Sequence, residues 1–459
     1  MDKELQKTGK RLADRNRTFG TIVIGSGPAG MGLLFAAAKS GNLEAFLDSG
    51  VAFIESSSQP GGGTIGKYQV NSDTAGGVFL ECLQHLPPGF VRGQELEELT
   101  GFIRERAHQA IPLAWVGRFY NLLCEGWMKK LAHHPASAFF LNSRANYILC
   151  GDDGSFSVMI RNVNTSETTL LSAGNVVMAM GGRQQQEEII RAQVAGCIPL
   201  SQYRSKIMFT DDLLSPGGHL RAKAKLEGCS RPKAVIIGGS HSAFSSAWTL
   251  LNKLGSVPFS EHAITLMHRS KLKLFYNNRE EALADGYTDF TDEDICPVTK
   301  RINRMGGIRW DSKSLLRKLI GLGEEKEPRM QLLKIEDDER TADRIRQLLD
   351  ECSLLVPALG YRPATIPVYN AQLEPVSLHC HHGGPLVNNR SQVLGEQGLP
   401  LPGMFGAGLA SGFMPGGKMG GEPSFNKQTN SLWAYQNDIG EMITAQLLER
   451  SFMPIGRAA

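Results

Sequence analysis

No two cysteines in this chain stand in a CxxC or CxxxxC spacing. That excludes a dithiol passing electrons to a disulfide substrate. Cys82, Cys124, Cys150, Cys197, Cys229, Cys296, Cys352 and Cys380 read instead as buried thiols of a reducing compartment. No apolar run approaches the roughly 20 residues needed to span a bilayer, so no membrane partner is expected. The opening MDKELQKTGKRLADRNRT is polar and lacks the apolar segment of a secretory signal. A tail or short surface helix is expected there, and the cytoplasm is the expected compartment. The net charge of +3 is too small to argue for nucleic acid.

What is present is an ordinary globular balance. Its 459 residues suit two or three domains, and 41% hydrophobic against 21% charged residues can fill large cores. The 51 glycines fall largely in turn-like clusters, where backbone approaches ligands closely. Two stretches stand out. TIVIGSGPAGMGLLFAAA runs from Thr21 to Ala38, and AVIIGGSHSAFSSAWTLL from Ala234 to Leu251. Each reads as a buried strand, a tight glycine turn and the start of a helix.

Between them, apolar spacing from Glu95 to about His133 predicts helix. AFFLNSRANYILC, SFSVMIRNV and TTLLSAGNVVMAMGG read as successive strands of a β-meander. ECSLLVPALGYRP reads as a further buried strand, and a closing helix is expected from Ser431 to about Leu448. The expected fold class is α/β, with two Rossmann-like three-layer domains. One is discontinuous, residues 1–200 and 347–459; the other occupies residues 231–346.

A dinucleotide needs its pyrophosphate held against backbone N–H groups at a helix N-terminus, where the dipole favours negative charge. One glycine permits the turn, a second admits phosphate, and a third lets helix and strand pack. Gly25, Gly27 and Gly30 meet these needs in the first stretch. Glu55 ends the next strand, where a carboxylate accepts ribose hydroxyls. It stands thirty positions after Gly25, against about twenty in the usual pattern. GNLEAFLDSG accounts for the excess.

In the second stretch Gly238 makes the turn, Ser240 takes the middle place and Ala243 the packing place. Its next strand ends at Arg269, with no acid there. Arg accepts the 2′-phosphate that a carboxylate repels, so the second site is expected to select NADPH. FAD in the first cradle and NADPH in the second would bring nicotinamide and flavin together for hydride transfer.

With these motifs in this order, the chain resembles the two-dinucleotide-domain flavoproteins along most of its length. GNVVMAMGGR is similar to the segment returning the chain to the FAD domain. LLVPALGYRP resembles the ATGY segment of flavin monooxygenases. Within that superfamily the ornithine and lysine N-hydroxylases look closest. Their S-x-F-x-N-E-x-F-x-P pattern is approached by TDFTDEDICP, where Phe290, Glu293 and Pro297 match and Asp292 replaces the substrate-binding Asn. The Baeyer–Villiger fingerprint FxGxxxHxxxW is absent. So is the terminal Gly-Asp that contacts the flavin ribitol, since Leu409 stands at that place. Backbone near Gly406 and Gly408 is expected to serve there, and Gly62 of the Gly-rich loop joins the cofactor set.

The resemblance implies that NADPH reduces FAD and that the reduced flavin captures O₂ as a C4a-hydroperoxide. A small polar substrate, most simply an amine or amino acid, then takes one oxygen atom at nitrogen. An ammonium has no lone pair, so the site must favour the neutral amine. Asp292 is the candidate amine ligand. Lys67 is the candidate for a substrate carboxylate or the flavin. No side chain is assigned as base. HCHHGG, with His379, Cys380, His381 and His382, has no partner cluster, and no metal is expected. Two other functions stay open: an NADPH oxidase or dehydrogenase without oxygen transfer, and a nucleotide-binding regulator with a dead site. Self-association is open as well.

Overall fold

A computed structural model describes residues 17–90 and 92–451. The tail expected at the start falls almost wholly on residues 1–16, outside the described part. The first unit opens with β1 (Arg17–Ile24), α1 (Pro28–Lys39) and β2 (Val51–Ile54). It continues through α2 (Leu113–Ala132), β3 (Ala138–Phe140), β4 (Ser143–Cys150), β5 (Phe156–Asn162) and β6 (Thr168–Met178).

The second unit holds β7 (Ala234–Ile237), α3 (His241–Lys253), β8 (Ile264–His268) and α4 (Trp310–Leu319). After them come β9 (Met330–Lys334), α5 (Glu339–Glu351) and β10 (Leu354–Pro357). The chain then returns through β11 (Val368–Tyr369), β12 (Gln392–Leu394), β13 (Pro400–Gly406), α6 (Leu432–Gln436) and α7 (Asp438–Ser451).

The larger sheet has nine strands, in the order β11-β4-β5-β6-β1-β2-β3, with β13 against β6 and β12 against β13. β1 runs parallel to β2 and to β6, while β4, β5 and β6 form an antiparallel meander. Side chains alternate between faces, as a pleated strand requires. Val23, Val51 and Phe53 pack with the helices, and Ile22, Ile24, Ala52 and Ile54 with the meander side. The smaller sheet is wholly parallel, in the order β9-β8-β7-β10. Ala234 and Ile236 face α3, whereas Val235 and Ile237 face α5. Strands buried on both faces read as continuous apolar runs, which is why IVI and AVII carry no polar alternation. The architecture is the expected α/β pair of Rossmann-like units.

Three expectations are corrected. The predicted helix from Glu95 to His133 is two helices, Gln94–Arg104 and α2, parted by a short strand at Ala110–Pro112. Pro112 lacks an N–H, and it disfavours helical geometry in the residue before it. AFFLNSRANYILC is two strands, because Asn142 turns the chain at φ 49°. β10 lies within 347–459, yet it pairs with β7. Met208, Leu213, Leu214, Ala222 and Leu226 also pack into the second unit's core. That unit therefore extends beyond 231–346 at both ends. Among the eight unpaired cysteines, Cys82, Cys124, Cys296 and Cys352 are buried and Cys197 is exposed. No helix among the described residues is long and apolar enough to cross a membrane.

Candidate active site

One cleft of about 2680 Å³ runs between the two units. A single small-molecule site typically occupies roughly 300–1,000 Å³, so this cleft has room for more than one ligand. Both glycine turns line it.

At the first turn Gly25 has φ +101°, and a Cβ there would strike the Ala179 carbonyl. A Cβ on Gly30 would run into the Gly25 carbonyl oxygen, so helix and turn touch. Gly27 differs: its nearest neighbour is the Gly63 Cα at 3.6 Å, and the space beside it belongs to the cleft. α1 starts at Pro28 with no side-chain cap on its first N–H groups. An uncapped helix N-terminus beside a bare glycine fits a pyrophosphate.

Glu55 lines the cleft as well. Its carboxylate accepts Ser26 N–H at 3.2 Å, Ser26 Oγ–H at 2.8 Å and Ser57 N–H at 2.8 Å. These donors and a long contact from Ser56 Oγ at 3.5 Å fix its direction, and a ribose hydroxyl would take the place of that weakest donor. The Gly-rich loop lies flat on α2. Gly62 N–H donates to Asn121 Oδ1 at 2.6 Å, and a Cβ on Gly62 would stand 2.6 Å from the Gly117 carbonyl oxygen. Gly408, at φ +103°, faces Ala29 at the start of α1, and Tyr435 holds its carbonyl at 3.1 Å. The Gly27 turn, Glu55 and Gly408 fit FAD, and Gly62 lines the same cleft with its N–H already given to Asn121.

Gly406 does not join them. Its N–H is spent on the Ser391 carbonyl at 2.9 Å, and its Cα faces Val387 and Leu386. Leu409 is 38% exposed, in the cleft.

At the second turn Gly238 has φ +143° and abuts the Ala358 carbonyl. Ser240 begins α3 with no side-chain cap bond, and Ala243 is buried in the helix as a packing residue. Arg269 is exposed on the cleft wall, with Nη2 3.5 Å from the Gln193 carbonyl. A second uncapped helix start, with a guanidinium at the next strand end held only by that long contact, fits NADPH.

The expected amine ligand Asp292 is misplaced. It is 89% exposed, pairs with Arg279, and lies outside the cleft. A capping box between Thr291 and Asp294 opens a short turn there and sends Asp292 to solvent. Lys67 does line the cleft. The four residues of HCHH form a short turn, where His379 contacts the Pro385 carbonyl at 3.2 Å and His382 contacts Ser377 Oγ at 3.1 Å.

Several cleft residues carry no local motif. Arg301, Arg304 and Arg309 line one wall. Arg309 lies over the Phe275 ring at 4.2 Å, and its backbone N–H donates to His241 Nε2 at 3.1 Å. Burial pushes His241 below its ordinary pKa, with Asp73 pulling the other way. A loop from the C-terminal part closes the wall. Glu422 accepts Met305 N–H and Gly306 N–H, each at 2.9 Å. Beside it, Asp294 Oδ1 accepts Lys273 Nζ at 2.5 Å and Ser424 Oγ at 2.7 Å. Burial alone would raise the Asp294 carboxyl, but these donors bring it down to about 2.

No family model matches the chain. The CMP-5′-(3-aminopropyl)phosphonate hydroxylase of Streptomyces rubellomurinus is 30% identical over 469 aligned residues, covering 96% of this chain and 99% of that protein. Among solved structures, the FAD-bound cadaverine monooxygenase of Erwinia amylovora superposes at a TM-score of 0.55. It is 13% identical and covers 96% of this chain and 97% of its own. The ornithine N-hydroxylase of Kutzneria sp. 744 superposes at 0.52, with 15% identity and coverage of 94% and 99%. The two solved structures establish the shared fold. The hydroxylase matches along nearly the whole of both chains, and with it the chain belongs to that hydroxylase's family, flavoprotein monooxygenases with the two-dinucleotide-domain fold seen in the ornithine and cadaverine enzymes.

Proposed function

We propose that the enzyme N-hydroxylates the primary amine of an anionic, phosphorus-bearing substrate, of the class of a nucleotide-linked aminoalkylphosphonate. The observation that carries this reading is the arginine wall: Arg301, Arg304 and Arg309 line the same cleft as the Gly-rich loop and Lys67. Guanidinium groups bind phosphate and phosphonate oxygens through paired N–H donors. A free amino acid with one carboxylate would leave much of that charge unanswered. The hydroxylase relative, named for a nucleotide-linked aminopropylphosphonate, supports the same substrate class.

FAD, when bound, would supply the redox and oxygen chemistry. The chain's own residues do the rest. Gly27 and the α1 N-terminus would hold the FAD pyrophosphate, and Glu55 its ribose. Ser240 and Arg269 would hold NADPH. Lys67 and the arginines fix the substrate's anionic part.

The test is NADPH and O₂ consumption by the FAD-loaded enzyme with CMP-5′-(3-aminopropyl)phosphonate, free 3-aminopropylphosphonate, ornithine, lysine and cadaverine. The CMP conjugate is expected to accelerate NADPH use most and to give a product heavier by one oxygen. Peroxide formed in step with NADPH for every compound, with no oxygenated product, would overturn the reading in favour of an oxidase.

A further inference from the structure

Among the described residues, the acidic side chains facing the cleft are Glu55, Asp73, Glu81 and Glu422. Most are already committed. Glu55 is held by Ser26 and Ser57, Glu81 takes Trp433 Nε1–H at 2.5 Å, and Glu422 takes the Met305 and Gly306 amides. Asp73 is different. Its carboxylate receives the hydroxyl of its neighbour Thr74, at 3.2 Å, and is otherwise open to the cleft.

The backbone aims it there. Asp73 lies in the strand Asn71–Ala75, which pairs antiparallel with Ala110–Pro112, and the register slips between Asn71 and Ala75. Such a bulge re-aims a side chain out of the regular pleat. Buried Ser72 secures the irregular stretch: its Oγ accepts Ile111 N–H at 3.2 Å and donates to the Thr74 carbonyl at 2.5 Å. Asn71 Nδ2 anchors the strand to Asp311 at 2.9 Å.

The surroundings are otherwise basic. The cleft walls around Asp73 partly desolvate its carboxyl and push it up, and the His241 ring and Arg309 guanidinium more than offset this, so it stays below the usual carboxylate range. One ionised carboxylate on a wall of arginines repels the phosphate end of a ligand and attracts its ammonium end. A zwitterionic substrate is thereby given a direction.

We infer that Asp73 is the residue that recognises the substrate's primary amine, setting it apart from analogues that lack one. The inference rests on the amine-hydroxylating function proposed above. An ionised carboxylate holds the ammonium more strongly, which fixes the substrate in place, and it still accepts N–H from the neutral amine that must form before the nitrogen can react. The contact therefore survives loss of the proton and leaves the nitrogen lone pair directed away from Asp73. His241 Nε2 is occupied by the Arg309 amide, so the imidazole does not compete for the amine through that atom.

The test compares wild type, Asp73→Asn and Asp73→Glu as FAD-loaded enzymes. The readouts are KM for CMP-5′-(3-aminopropyl)phosphonate and the inhibition constant of CMP-5′-propylphosphonate, which lacks the amine. Asp73→Asn is expected to raise KM about 10- to 100-fold while inhibition by the amine-free analogue stays within about twofold. Asp73→Glu, which keeps the charge, is expected to preserve the discrimination. FAD absorbance and the KM for NADPH report on folding and coenzyme binding, and both are expected to hold. Equal weakening of the two ligands in Asp73→Asn, or no change in either, would overturn the inference alone. A wild-type enzyme that oxygenates no amine overturns the functional reading, and the inference with it.

Discussion

His241 Nε2 accepts the backbone N–H of Arg309 at 3.1 Å, which ties the first turn of α3 to the arginine wall. A backbone N–H only donates, so Nε2 is unprotonated and the ring's hydrogen is on Nδ1. His241→Ala removes the acceptor and leaves that amide unpaired, at a cost of about 1–3 kcal/mol. A lower melting temperature and higher KM values for both NADPH and substrate are expected. His241→Gln is expected to recover part of each. Because burial lowers this pKa in the native state, the unfolded chain binds more protons just below about pH 6.5. The contribution of His241 to stability is therefore lost as pH falls from that value toward the native pKa. A melting curve of His241→Gln against pH should be flatter in this window.

Gly27 and Gly30 separate cofactor binding from folding. A Cβ on Gly27 meets only the Gly63 Cα at 3.6 Å within the protein but projects into the expected pyrophosphate path. Gly27→Ala is therefore expected to fold and to lose FAD affinity by about tenfold or more. Gly30→Ala collides with the Gly25 carbonyl and is expected to lower soluble yield and thermal stability even without FAD. Absorbance near the flavin bands, alongside circular dichroism, distinguishes the two. Full flavin content in purified Gly27→Ala would contradict the assignment.

Arg269 is exposed at the end of β8, with only a long contact to the Gln193 carbonyl. Arg269→Ala is expected to raise the KM for NADPH about 10- to 100-fold while changing that for NADH by less than about twofold. Steady-state kinetics with both coenzymes decide it; parallel changes would remove the residue from coenzyme selection.

Asp294 predicts an acid limit. Its native pKa of about 2 lies below the roughly 3.9 of an unfolded aspartate. The stabilisation, on the order of 2 kcal/mol, is complete above the unfolded value and disappears as pH falls through about 2. Urea midpoints between pH 5 and 2 should fall more steeply for wild type than for Asp294→Asn. Identical slopes would show that the link to Lys273 and Ser424 contributes little.

Strand, turn and helix are contiguous in each cradle, so Gly25, Gly27, Glu55, Gly238 and Ser240 could be read without tertiary information. All of them line the cleft. The meander was readable for the same reason, from alternation and the turn residues that bound it. Long-range pairing was not. β10 has the same apolar composition as a strand of either sheet, and only its ladder with β7 assigns it. Asp73, His241 and Arg309 come from three distant segments, only His241 within a motif and at a place the motif does not assign, and the bulge that aims Asp73 depends on a partner strand at Ala110–Pro112. Asp292 occupied the motif position, yet the capping box beside it turned the carboxylate outward. Gly406 had the right composition, but Ser391 had already taken its amide. Some signal for Asp73 existed: an isolated acid in a Gly-rich, otherwise uncharged loop directly after Lys67.

The nine-stranded sheet is closed by β13, whose Gly406 pairs with Met178, and α6 and α7 pack on α1. Its nucleotide cradle thus draws on both extremes of the chain, whereas the strands of the parallel sheet all lie between Ala234 and Pro357. During translation the NADPH-side sheet has all its strands on the growing polypeptide while the flavin-side sheet still waits for its last ones. Domains fold as their sequence emerges, so the unit encoded first is finished last. Riboflavin shortage would consequently strike a chain whose NADPH-side sheet is already in place.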